Sequence, residues 1–258
     1  MAENFRQTDI LTIAQNEGRV SVDDLAERFN ISVQTIRKDL SDLSDAGQLK
    51  RVHGGAILPS GVTNIGYEQR RELNRAAKAK IAKRCAADIP NNASVFLNIG
   101  TGTEAVAREL LGHRNLMVVT NNMNIAQILS ANPDCDVIVA GGTLRRSDGG
   151  LTGHQTVQMI EQFKFDYAVI GCSALDHDGD ILDFDIQEVA VSRAIISRSR
   201  ERFLVADTSK FDRSAPVRIA SLKDVSRFYT DAKPAKPVQN KCNRWSTEIV
   251  IAPNQSQA

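Results

Sequence analysis

Residues 21–40 read SVDDLAERFNISVQTIRKDL, and this stretch decides how the amino-terminal part of the chain folds. Ser21 stands just before Asp23 and Asp24. A serine at that place offers its hydroxyl to an unpaired amide of the first helical turn, and carboxylates there meet the positive end of the helix dipole. A helix therefore starts here, with Leu25, Ala26 and Phe29 as its inner face and Asn30-Ile31 as the turn that follows. Ser32 caps the next helix, in which Val33, Ile36, Leu40 and Leu43 recur every three or four residues as one apolar stripe. Gln34, Thr35, Arg37, Lys38 and Ser41 fall off that stripe. Two short amphipathic helices across a tight turn, the second carrying polar arms, are the layout of a helix-turn-helix, whose second helix enters the DNA major groove. A small three-helix bundle with a solvated charged face has the same spacing.

Working outward, Ile10, Leu11, Ile13 and Ala14 have helical spacing, with Gly18 as the stop. Downstream of Gly47, Leu49-Lys50-Arg51-Val52-His53 alternates like a strand and Gly54-Gly55 turns it, which reads as a basic wing against phosphates. The candidate DNA contacts are Ser32, Gln34, Thr35, Arg37, Lys38, Lys50, Arg51 and His53. Glutamine pairs with adenine, and arginine or lysine with guanine or phosphate. Residues 1–60 hold seven Lys/Arg against nine Asp/Glu, so any such footprint comes from local placement and not from a basic domain.

SVQTIRKDLSDL followed by LKRVHGGA resembles the amino-terminal signature of DeoR-type bacterial repressors. That family usually has Arg-Arg-Asp where this chain has Arg37-Lys38-Asp39. A lysine keeps the phosphate contact but not a bidentate contact to a base.

Pro59, Ser60, Gly61 and Gly66 mark a break near residues 57–66. Tyr67 to Arg84 then reads as one basic helix, with seven Lys/Arg against two acids, closed by Pro90-Asn91-Asn92. It is either a solvated face, or it touches DNA or passes a signal between domains. Beyond it, strand patterns at Val95–Ile99, Leu116–Thr120, Val137–Ala140, Tyr167–Ile170, Phe203–Ala206 and Arg227–Thr230 alternate with helical ones at Glu104–Leu111, Met123–Ser130 and Ile186–Ser199. The fold class is therefore α/β, a mostly parallel sheet covered on both faces, behind the helix-turn-helix unit.

Ligands on such sheets sit at the carboxyl ends of the strands. The loops there are Asn98-Ile99-Gly100-Thr101-Gly102-Thr103, Thr120-Asn121-Asn122, Gly141-Gly142-Thr143-Leu144-Arg145-Arg146 with Ser147-Asp148-Gly149-Gly150 behind it, Gly171-Cys172-Ser173-Ala174-Leu175-Asp176 and Asp207-Thr208-Ser209-Lys210-Phe211. Each is small and polar, and glycines with hydroxyls at a helix start suit phosphate, although each also suits an ordinary turn. Asp183, Asp185 and Glu188 could accept hydrogen bonds from ligand hydroxyls or cap a helix; Lys210 could complete a phosphate site or be a surface lysine.

The 258 residues, 42% hydrophobic and 24% charged with a net charge of +1, are ordinary for a soluble protein. No apolar run reaches the ~20 residues of a membrane span, and MAENFRQTD is not a signal peptide. A cytoplasmic protein without a membrane partner is expected. Cys85, Cys135, Cys172 and Cys242 are scattered with no metal-ligand spacing, so no metal, cofactor or catalytic residue is expected.

The resemblance to the DeoR family runs from about Phe5 to Asp231, through IGTGTEAVA, VTNN, AGG, GCSALD and DTSKF. It implies an effector domain similar in fold to ribose-5-phosphate isomerase. The segments HGGAILPS, DGGLTG, LDFDIQEV, RAIISRSR and DTSKFDRSA are most like the subgroup that senses glycerol 3-phosphate. The resemblance further implies a repressor of carbon-source catabolic genes. It would act as a homo-oligomer (dimer or tetramer) on double-stranded operator DNA and be released by a phosphorylated polyol or sugar. The implied effector residues are Gly100, Thr101, Gly102, Thr103, Thr120, Asn121, Gly141, Gly142, Asp183, Asp185, Glu188 and Lys210. The family's Gly-Thr-Thr is broken here by Gly102, and the tail from Lys233 does not match. That tail reads as a Lys-Pro linker, with Glu248–Ala252 as an edge strand and Trp245 as a packing anchor. The expected organisation is a winged helix-turn-helix at 1–58, a linker and connecting helix at 59–92, an effector domain at 93–232 and a divergent tail at 233–258. The competing reading is a sugar-phosphate isomerase with an accessory domain, Glu188 as base and Lys210 as its electrostatic partner. Activation in place of repression is a third.

Overall fold

A computed structural model of the protein describes residues 2–17, 19–57 and 64–252. Gly18 and Pro59-Ser60-Gly61, expected as breaks, lie outside these residues. The chain divides into two compact units, Met1–Arg75 and Ala76–Ala258.

The first unit contains α1 (Ala2–Glu17), β1 (Arg19–Ser21), α2 (Val22–Phe29), α3 (Val33–Asp45), β2 (Lys50–Val52), β3 (Gly55–Ile57) and α4 (Tyr67–Glu72). Both expected caps form. Ser21 Oγ accepts from the Asp24 amide at 3.1 Å, and Ser32 Oγ from that of Thr35 at 3.2 Å. Asn30 takes the left-handed conformation, φ 52°, which asparagine tolerates and which turns the chain sharply between α2 and α3. Ile10, Leu25, Ile36 and Leu40 are fully buried at the centre of the unit. Strand β3 lies between β1 and β2 in an antiparallel sheet. A Cβ on Gly55 would stand 1.9 Å from the Val20 carbonyl oxygen, so only glycine lets β1 and β3 approach. Strand β1 has no sequence signal because three residues are too few to show alternation. Asp39 is buried on α3 and takes the Arg6 guanidinium of α1 in a bidentate pair, 2.5 Å from Nε and 3.0 Å from Nη2.

The second unit begins with α5 (Arg75–Ala87), β4 (Ser94–Leu97), α6 (Thr101–Glu109), β5 (Leu116–Thr120), α7 (Met123–Leu129), β6 (Cys135–Val139), β7 (Thr143–Arg145) and β8 (Gly150–Thr152). It continues through α8 (His154–Ile160), β9 (Phe165–Ile170), β10 (Ala174–Leu175), β11 (Asp180–Asp183), α9 (Ile186–Ser197) and β12 (Ser199–Val205). It ends with β13 (Val217–Ser221), β14 (Arg227–Thr230), α10 (Lys236–Trp245) and β15 (Glu248–Ile251). The main sheet has the order β15-β14-β12-β9-β4-β5-β6 and every pairing in it is parallel. Alternate residues of a strand face opposite sides. Val95 and Leu97 accordingly join α5, α6 and α7 through Ile81, Val106 and Ile125, whereas Phe96 joins α8, α9 and α10 through Ile160, Val189 and Val238.

Three expectations change. Tyr67–Arg84 is two helices, broken where Asn74 takes φ 51°, and the division between the units, at residue 75, falls within the connecting segment expected at 59–92. The tail is not a linker: Lys236–Trp245 is a helix with proline in its first turn, a place where the missing N–H costs nothing, and it buries Val238 and Cys242. Trp245 packs over Gly179 (φ 92°), where a Cβ would come within 2.8 Å of the indole ring. Glu248–Ile251 is the edge strand on β14, so the sheet continues past residue 232.

Candidate functional site

On α3 of the first unit, Gln34, Arg37, Lys38 and Ser41 are exposed, whereas the Ser32 and Thr35 hydroxyls lie 2.8 Å apart and serve the cap. Lys50, Arg51 and His53 are exposed on the wing, and Arg51 Nη1 donates to the Arg37 carbonyl at 3.3 Å, which ties wing to helix.

In the second unit the parallel pairing puts the loops after β4, β5, β6, β9 and β12 on one edge of the sheet. Gly100 opens α6 at φ 146° and ψ 150°, a conformation kept to glycine, and no side chain caps that helix. The amides of such a first turn lie beyond the helix's own hydrogen-bond ladder. A Cβ on Gly102 would find only Val205, with Cγ2 at 3.6 Å, so the family's threonine would fit there. Gly142 tolerates no side chain, since its Cβ would come within 2.1 Å of Thr156 Oγ1; Gly141 has open space.

Two expected ligand hydroxyls also donate hydrogen bonds within the fold. Thr103 Oγ1 donates to the carbonyls of Asn98 and Gly100 (2.6 and 2.7 Å). Thr120 Oγ1 donates to the Leu97 carbonyl at 2.7 Å. Both side chains are fully buried and shape the loops from beneath. Asn121 is buried too: its Nδ2 donates to the Leu151 carbonyl at 3.1 Å, and its Oδ1 has no partner.

The acidic residues are also occupied. Arg145, at the end of β7, makes a fork to Asp148 (2.9 Å from Nε, 2.8 Å from Nη2) and reaches Asp185 at 2.8 Å and Glu188 at 2.6 Å. Burial works against the guanidinium charge, but the hydrogen bonds and charges of Asp148 and Glu188 outweigh it and raise its pKa. Asp185 at the same time caps α9, accepting from the Gln187 amide at 2.8 Å. Asp183 is buried and accepts from Ser173 Oγ at 3.1 Å and the Phe184 amide at 2.7 Å. Asp185 and Glu188, expected to face ligand hydroxyls, thus face a cation, because the β7–β8 hairpin brings a guanidinium to them.

Lys210 sits in a 3-10 turn, Thr208–Asp212, capped by Asp207. Burial pushes the neighbouring Cys172 thiol up to about 12, with Lys210 opposing and Asp183 and Asp207 adding to the rise. That sulfur stays a neutral thiol at neutral pH and is no nucleophile. Among the described residues no group of three or more His, Cys, Asp or Glu could hold a metal ion, and no helix is long and apolar enough to cross a membrane.

The family model for the DeoR-like helix-turn-helix domain matches residues 6–62, and that for the DeoR C terminal sensor domain matches residues 73–232. The chain belongs to the DeoR family. A glycerol-3-phosphate regulon repressor of Escherichia coli is 44% identical over 91% of this chain and 93% of its own. One of Haemophilus influenzae is 43% identical over 97% and 98%. The repressor CsqR of Escherichia coli is 35% identical over 96% and 95%. Among solved structures, ribose 5-phosphate isomerase A of Methanocaldococcus jannaschii is similar at a TM-score of 0.40 and 12% identity, over 54% of this chain and 55% of that one. This DeoR-family chain is therefore a transcriptional repressor that binds DNA operators, and not an enzyme.

Arg145 and Asp148 lie in a loop that the sequence places at the sheet edge, but the sequence alone assigns neither residue a role. The Arg145-Arg146 pair shortly before Asp148 in a glycine-rich loop was the available signal. Its other partners, 40 and 43 residues away, have none.

Proposed function

We propose that this DeoR-family repressor controls carbon-source catabolic genes and is released from its operator by a small phosphorylated polyol or sugar, glycerol 3-phosphate first among them. The observation that carries the reading is the glycine-opened start of α6 on the same sheet edge as the Lys210 turn. Amides at a helix start together with a lysine are a phosphate site. The names of the Escherichia coli and Haemophilus influenzae relatives support the same ligand. In this reading Gly100, Thr101 and Gly102 approach the phosphate with Lys210, Gly141 and Gly142 leave the backbone open, and Asn121 Oδ1 accepts from a ligand hydroxyl. Thr103 and Thr120 hold the loops. Asp183, Asp185 and Glu188 position the acidic side of the site, the last two through Arg145. On the operator, Gln34, Arg37 and Lys38 address bases and phosphates, Ser32 and Thr35 set the helix, and Lys50, Arg51 and His53 grip the flanking backbone. The protein acts as a homo-oligomer, dimer or tetramer, whose paired recognition helices match two half-sites. Effector binding shifts the population only by its differential affinity for the two states.

The test is titration of a duplex selected by the protein from a random library, with and without glycerol 3-phosphate. Weaker DNA binding with the ligand is expected; unchanged affinity removes this inducer. Lys210→Ala should bind the duplex as the parent does but need roughly tenfold more ligand for release, the worth of about 1.4 kcal/mol of lost phosphate contact. An unaltered ligand response moves the phosphate away from Lys210.

A further inference from the structure

The second unit has another concave site, at the end of the sheet remote from the glycine-rich loops. It is a cavity of about 430 Å³ lined by the amino end of β12 (Ser199, Arg202), the carboxyl half of α9 (Arg193, Ile196), Arg218 of β13 and the turn after it, and by Lys164 ahead of β9. Strand β12 runs from this cavity to the Lys210 turn, so ~20 Å of extended backbone separates the two.

Its lining is charged in one sense. Lys164, Arg193, Arg202, Arg218 and Lys223 face one acid, Asp224. That acid is occupied, since Asp224 Oδ2 accepts from the Ser221 amide at 2.9 Å. Arg193 is fixed across β13 by its Nε bond to the Ile219 carbonyl at 3.0 Å, and Arg218 Nε is held by Asp180 at 2.7 Å. Lys164, Lys223 and Arg202 have no ion-pair partner among the described residues. Arg202 Nε is buried without any hydrogen-bond acceptor. Buried donors are nearly always paired in folded proteins, so this orphan beside the cavity marks a guanidinium whose hydrogen bonding the fold leaves incomplete.

We propose that this cavity binds a small polyanion carrying a diphosphate or an equivalent pair of phosphate groups, as a second ligand site independent of the effector loops. The volume lies in the range of small-molecule sites. Three cations without counter-ions exceed what one phosphate dianion neutralises and match a diphosphate. The guanidinium of Arg202 supplies a rigid fork, and Lys164 and Lys223 supply mobile point charges at the rim. A concavity of this volume with a cationic lining suits a small anionic metabolite.

Inorganic pyrophosphate and inorganic phosphate, each titrated calorimetrically into the full chain at physiological salt, are the probes. Pyrophosphate is expected to bind at least tenfold more tightly than phosphate. Arg202→Gln, and separately the exposed pair Lys164→Ala/Lys223→Ala, should each weaken it tenfold or more, with Lys210→Ala at parental affinity. Pyrophosphate should also shield Lys164 and Lys223 from acetylation. Absence of pyrophosphate binding, equal affinity in all variants, or loss in Lys210→Ala with retention in Arg202→Gln would each overturn the site. The last result would send the anion to the effector loops, whose role is tested separately by glycerol 3-phosphate and DNA.

Discussion

The polar residues of α3 and those of the loops on the parallel sheet have opposite fates. On the recognition helix Gln34, Arg37 and Lys38 stand exposed, and only Asp39 turns inward, onto Arg6. On the sheet edge Asp148, Asp183 and Glu188 are buried, and Arg145 draws three carboxylates together. A surface that reads a polymer keeps its side chains out of the fold, so that they reach base edges. A pocket for a small molecule has to build its polar network beforehand, since burial punishes any group left unpaired. The first kind of site tolerates single changes without loss of fold. The second does not.

The sharpest way to break this contrast is Arg145→Ala. Removing the cation leaves Asp148, Asp185 and Glu188 facing one another, and the sensor unit should lose about 3–5 kcal/mol in urea unfolding. A loss below ~1 kcal/mol would mean that solvent, and not Arg145, satisfies those acids. Asp39→Ala comes next, because it strips Arg6 of its buried partner; about 2–3 kcal/mol of stability should go from the winged unit, and operator binding with it. If DNA binding drops with unchanged melting, Asp39 acts in recognition instead. Arg37→Ala, at an exposed position, should weaken operator binding by roughly 1–3 kcal/mol with melting unmoved. Full retention of affinity takes Arg37 out of base reading.

These cases also mark what the sequence makes legible. The caps at Ser21 and Ser32, the stripe Val33-Ile36-Leu40-Leu43 and six strands of the parallel sheet are local patterns, and a local pattern survives in one dimension. Arg145 is different: it is visible as a basic residue in a loop, but its role is set by Asp185 and Glu188, brought to it only by the β7–β8 hairpin and the start of α9. The same holds for the hydroxyls of Thr103 and Thr120, whose acceptors are backbone carbonyls that no composition reveals. The tail misleads because Lys-Pro repeats mimic a linker, although a proline in a first turn is equally a helix start.

The smallest expected effect concerns acid. Burial alone would raise the Asp88 pKa, but hydrogen bonds from Arg84 and Tyr229 hold it below the ordinary carboxylate value, and Ser94 does the same for Asp166. Groups lowered in the folded state stabilise it above the unfolded value near 4, and that contribution is lost as pH falls through the folded pKa. Melting temperature should therefore decline below about pH 4, less steeply in Asp88→Asn. Parallel pH profiles for parent and variant would show that Asp88 contributes nothing.

Strand β15 borders the sheet at β14, downstream of every other strand, and α10 carries the chain to it. During synthesis the rest of the sheet can assemble before this strand exists, with the amides and carbonyls of β14 bare along one side. Bare strand edges recruit other chains. A nascent or truncated molecule ending before Lys236 would bare both the β14 edge and the apolar surface that Val238 and Cys242 of α10 cover, and should thus be aggregation-prone even with every effector loop intact.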